Sequence, residues 1–163
     1  MIRLQQKTYG YSQMQKISLS GFAGGLTEVL WIIVISLLLD VHGADIAREV
    51  TASVLPNLRN ESYAIALGIA IHLALSVVLA AAYIWSIGTM TDKRMGIAGQ
   101  LITAMSVLAL VWAVNFLLIL PQVNPIFSDH ISYGLSLISK MLFGLSMALV
   151  IHYLSQRRSR ASV

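Results

Sequence analysis

Ser18–Asp40, SLSGFAGGLTEVLWIIVISLLLD, decides the architecture. A helix crosses the hydrocarbon core of a bilayer with about 20 apolar residues at ~1.5 Å rise each, and this run meets that length. It also carries an acid, Glu28, near its middle, after the cluster Gly21, Gly24 and Gly25. A carboxylate at such depth is costly unless it faces protein, water or a cation. The rest of the chain has to supply that partner. Gly21 and Gly25 are four apart and Glu28 follows by three, so a helix places all three on one face, where another backbone can come close.

The composition agrees with a membrane chain. Apolar residues make up 57% and charged residues 11% of the 163, against roughly 45–50% and 25% in soluble domains. A soluble core of this size cannot hide that much apolar surface, so lipid must cover it. The net charge of +4 does not imply nucleic acid, because the basic residues flank apolar runs and form no basic module. No cysteine is present, which removes disulfides, thiolate metal sites and a cysteine nucleophile.

Outward from the first run, the pattern predicts spans over about 19–39, 63–85, 98–120 and 132–154, the third stopping at Pro121. The polar segment 1–17 is too long for the lead of a cleavable signal, and no A-x-A site follows the apolar run, so it reads as a cytoplasmic tail. Between the first two spans, Asp45 is expected to cap a short helix over 46–55 that Pro56 terminates. Ile46, Val50 and Val54 fall on one side of it, which predicts an amphipathic helix on the membrane surface, or a helix capping the bundle. Gly68, His72, Ser76 and Ala80 form a small or polar stripe in the second span. Ser136, Lys140, Gly144, Ala148 and His152 repeat that four-residue spacing in the last. Trp31 and Trp112 lie deep in their spans and read as packing residues.

Orientation follows from the basic residues. Arg3, Lys7, Lys16, Lys93, Arg94, Arg157, Arg158 and Arg160 lie in the two tails and the middle loop, whereas the opposite loops hold Arg48 and Arg59. The positive-inside bias puts both termini in the cytoplasm, as fits a bacterial inner membrane.

Counting helical rise with that orientation puts Glu28 about 14 Å, His72 about 18 Å and Lys140 about 20 Å from the cytoplasmic boundary. The three form a candidate midplane cluster. As structure, it is an ion pair with a histidine bridging helices; as function, it is a proton or ion relay or a polar pocket for a ligand. Haem held by His72 and His152 needs both rings at one level, and they are separated by ~15 Å or more, so no cofactor is expected. On the outer side Asp40, His42, Asp45, Asp129 and His130 carry donors suited to zinc or copper, but their spacing matches no metal motif and no metal is expected. No phosphate-binding, zincin or serine-nucleophile motif occurs in the context its chemistry requires.

The sequence therefore predicts an all-α polytopic membrane protein of four transmembrane helices in a bundle, with a short amphipathic surface helix. Helix packing is expected at Gly21, Gly24, Gly25, Gly68 and Gly144. Its partners are the lipid bilayer and other membrane subunits or a second copy, without nucleic acid. The leading functional expectation is a non-catalytic accessory or assembly subunit docked through the glycine-rich face. The alternative is a small transporter, channel or proton-conducting unit using Glu28, His72 and Lys140.

Overall fold

The structure, a computed structural model, describes the backbone of residues 2–39, 41–88 and 95–161, and the side chains of 13–39, 41–87 and 95–156. Asp40, Lys93 and Arg94 lie outside the described residues, and the side chains of Arg3, Lys7, Arg157, Arg158 and Arg160 outside the described side chains. Helices account for all regular structure described: α1 (Ile2–Leu38), α2 (Gly43–Val54), α3 (Ala64–Tyr83), α4 (Ile97–Val114), α5 (Leu120–Val123), α6 (Phe127–His130) and α7 (Tyr133–Ala161). Four stretches are long and apolar enough to cross a membrane: Gln13–Leu38, Ala64–Ile87, Ile97–Val123 and Tyr133–Gln156.

Two boundaries differ from the sequence expectation for clear reasons. Helix α1 runs through the polar lead, where no proline interrupts Ile2–Ile17. The third apolar stretch does not stop at Pro121. Proline has no N–H for the carbonyl four residues back and clashes with it. A π-helical turn, Asn115–Ile119, widens the register just before it, and the chain continues helically to Val123.

The long helices pack in the order α3, α1, α7, α4. Helix α7 packs against α1 and α4, α1 also packs on α3, and α3 carries α2. Close approach at the crossings explains the glycines. A Cβ on Gly21 would lie 2.6 Å from Val77 Cα, and one on Gly25 would lie 2.6 Å from Ser76 Oγ, so α1 and α3 touch backbone to backbone. Gly24 makes room for the Phe143 ring of α7 (2.9 Å), and Gly144 of α7 stands 3.0 Å from the Ala104 carbonyl of α4 by the same measure. Gly68 lies where α2 crosses α3, and a Cβ there would overlap the Ala47 carbonyl.

Helix α2 departs most from expectation. Its N-cap position is His42, with Asp45 in the first turn. Ser36 Oγ accepts the Gly43 N–H (3.1 Å), so the chain re-enters helix directly after leaving α1. Of the two expected placements, its packing fits the capping helix: α2 lies against α3 and buries Ile46, Glu49 and Thr51. Thr51 Oγ1 donates to the Ala64 carbonyl at 2.6 Å, while Val54, expected on the buried side, is exposed.

Two apolar layers result. One holds Leu108, Phe143 and Met147 with Ala80, Tyr83 and Ile84; the other holds Ile35, Ile46, Phe116, Leu120, Phe127 and Ile131. Trp31 and Trp112 border the second layer and fix the start of α7, donating to the Leu135 carbonyl (3.0 Å) and Ser136 Oγ (2.9 Å). Between the layers lies the polar site.

Candidate functional site

Glu28 is only 4% exposed. The glycines preceding it let α1 sit close to both α3 and α7, which brings three other side chains to its carboxylate. Ser139 and Lys140 follow each other on α7 and divide the two oxygens between them. Ser139 Oγ donates to Oε1 at 3.1 Å, and Lys140 Nζ donates to Oε2 at 2.7 Å. The Lys140 ammonium also stands 5.4 Å from the centre of the buried Phe143 ring. From α3, His72 brings Nε2 to 3.4 Å from Glu28 Oε2. That nitrogen is buried and has no hydrogen-bond partner among the described residues. Glu28, His72 and Lys140 thus meet in one place, although 112 residues separate the acid from the lysine.

The ion pair is costly to assemble. Taking both charges out of water costs several kcal/mol each, recovered only through good geometry and further hydrogen bonds. Ser139 supplies one such bond to Glu28; the His72 Nε2 valence is left unspent.

The cluster closes one end of a cavity of about 860 Å³. Its walls are largely apolar, with Ile69 and Leu75 on α3 facing Val111 and Phe116 across the space, and α2 forms the roof through Ala47 and Val50. Helices α3 and α4 are not among the closely packed pairs, and residues of both line the cavity. Leu75 and Ile119 line it and are about half exposed, as are Val54 and Val123 farther along, so the cavity is open on this side. The volume lies in the range of ligand sites, about 300–1,000 Å³.

A second buried acid, Glu49, lies on α2 at 1% exposure. Nothing in the sequence pattern singles it out. Arg59, ten residues on, donates from Nε to Oε1 at 2.7 Å and also from Nη2. Asn124 Nδ2 donates to Oε2 (2.9 Å) and to the Glu49 carbonyl (3.2 Å), and His130 Nε2 stands 3.7 Å from Oε1. Burial pushes the Glu49 carboxyl up, but the Arg59 and Asn124 hydrogen bonds and the nearby positive charge outweigh it and hold it below its ordinary value of 4.5. The sequence carries only a faint signal for this site: Glu49 lies at i+3 from Ile46, at the edge of the apolar stripe.

The outer donors do not assemble a metal site. His130 turns to Glu49, and among the described residues no group of three or more His, Asp or Glu could hold an ion. His42, Asp45 and Asp129 are therefore not brought together, and Asp40 is not described. His152 lies at the far end of α7, its Nδ1 3.0 Å from Gln100 Oε1, away from His72. The chain matches no family model, no curated protein and no solved structure.

Proposed function

We propose that this is an integral membrane protein, spanning the bilayer four times with both termini in the cytoplasm of a bacterial cell, which binds a lipid-soluble small molecule and passes it on without catalysis. Side chains such as Leu38 (75% exposed) and Leu118 (65%) make an apolar exterior suited to acyl chains rather than water. One observation carries the functional part: a buried Glu28–Lys140 pair with an unpartnered His72 nitrogen closes a large apolar cavity that opens sideways. Intramembrane ionisable groups that face a cavity are where substrate or proton pathways are found. The accessory-subunit reading drew on a glycine face free for docking, and Gly21, Gly24 and Gly25 are occupied by α3 and Phe143 of the same chain.

Releasing the protein from isolated membranes directly into a mass spectrometer tests the reading. A discrete bound mass is expected on the wild type and to be reduced on Ile69→Trp, whose indole projects into the cavity. Bare protein in both samples counts against it. Orientation is tested by single cysteines, introduced into a chain that has none. Asn57→Cys is expected to react from outside and Lys93→Cys from the cytoplasm, and the reverse pattern overturns the topology.

A further inference from the structure

The valences left unspent around the cavity narrow down its occupant. Both Glu28 oxygens are engaged, one by Ser139 and one by Lys140. An ammonium has three N–H groups, and Lys140 directs one at Glu28. His72 Nε2 makes no hydrogen bond among the described residues. Both residues line the cavity. Lys140 can therefore still donate and the His72 imidazole can take up a proton, so a fitting ligand brings acceptor oxygens and an acidic proton on a compact head, because the remaining walls are apolar.

Charge narrows the choice further. The charged groups facing His72 are Glu28 from α1 and Lys140 from α7, and these two cancel. An anion with no compensating proton would leave a net charge in an apolar layer, which is costly. A carboxylic acid avoids this. It arrives neutral from the bilayer and can hand its proton to the imidazole of His72 without bringing in net charge. The acid O–H bond breaks and an N–H bond forms on the imidazole. The products are a carboxylate and an imidazolium side by side, with Lys140 close enough to share the carboxylate, and the cavity as a whole stays neutral.

We propose that the cavity, taken as the ligand site of the preceding section, holds a long-chain carboxylic acid, its tail leaving between α3 and α4 and its carboxyl group against His72 and Lys140. The tail gains little, because the lipid it leaves is as apolar as the cavity walls. Recognition therefore rests on the head group, and that makes the idea sharp to test.

The test uses the full chain in phosphatidylcholine nanodiscs and hexadecanoic acid with a diazirine at its tail end. Unlabelled hexadecanoic acid, its methyl ester and hexadecan-1-ol compete for photolabelling. The acid is expected to compete at least tenfold better than the ester or the alcohol, with labels on α3 and the Asn115–Ile119 turn. In His72→Leu that preference falls to about one. The preference is a ratio within one sample, so it does not depend on how much variant folds. The paired change Glu28→Gln with Lys140→Met, which leaves no lone charge, is expected to lower it as well. Equal competition by acid and ester in the wild type overturns the inference, yet leaves the pocket reading standing if Ile69→Trp reduces the labelling. Labels scattered over the lipid-facing exterior and indifferent to Ile69→Trp overturn both.

Discussion

The molecule builds nearly the same cluster twice, and the two differ in what they leave open. Glu28 and Glu49 are both buried acids, each with one cation, one histidine and one neutral hydrogen-bonding side chain. Around Glu49 the cation is local, Arg59 reaches water with 43% of its side chain, and Asn124 and Arg59 saturate the carboxylate. Around Glu28 the cation comes from a remote helix, Lys140 is 18% exposed, and the histidine nitrogen lacks a partner. Only the Glu28 cluster lines the cavity. A closed cluster ties elements together. An open one beside a cavity is where binding can occur.

The largest effect should come from unbalancing the Glu28 pair. Glu28→Gln strands Lys140 and Lys140→Met strands Glu28, and breaking a buried pair costs ~3–5 kcal/mol. Thermal unfolding in nanodiscs should show a large drop for each single variant and a partial recovery in the double variant. Strict additivity would show that the charges do not interact.

Next come the glycine crossings. Gly21→Leu drives a side chain into the Val77 backbone, and overpacking of this kind costs about 1–3 kcal/mol or more. Leu38→Ala, on the exposed exterior, should stay within about 0.5 kcal/mol. Similar losses of folded yield for the two would break the claim that these glycines mark helix contacts.

Breaking the Glu49 cluster should act through pH. Its carboxyl lies below 4.5, so its contribution is complete above that value and is lost as pH falls from 4.5 through the lower folded-state value. Subtracting the unfolding temperature of Glu49→Gln from that of the wild type should give a plateau above pH 4.5 and a decline below it. A flat difference down to pH 3 would detach Glu49 from Arg59. At neutral pH this variant should cost less than Glu28→Gln, because Arg59 is solvated when freed.

The comparison also explains what was legible in the sequence. Four apolar runs announce the long helices, and an acid in one of them draws attention to itself. Helical rise then puts His72 and Lys140 near its level. The Glu49 cluster has no such contrast. Its arginine lies beyond Pro56 and its asparagine 75 residues away, so nothing periodic links them. The cavity is less legible still, since it arises where α3 and α4 fail to meet, and helix order leaves no mark on composition. The continuation past Pro121 escaped for a local reason: a π turn absorbs the clash that normally ends a helix.

The most direct test of the account is a distance between Lys140 Nζ and the Glu28 carboxyl carbon in lipid bilayers. Solid-state NMR of chains carrying 15N-lysine and 13C-glutamate, diluted into unlabelled chains, reads it for a single copy. The account predicts a short-range lysine–glutamate contact that survives dilution and disappears in Lys140→Met. No such contact, or one that fades as labelled chains are diluted, would contradict pairing within the chain and with it the site built on it.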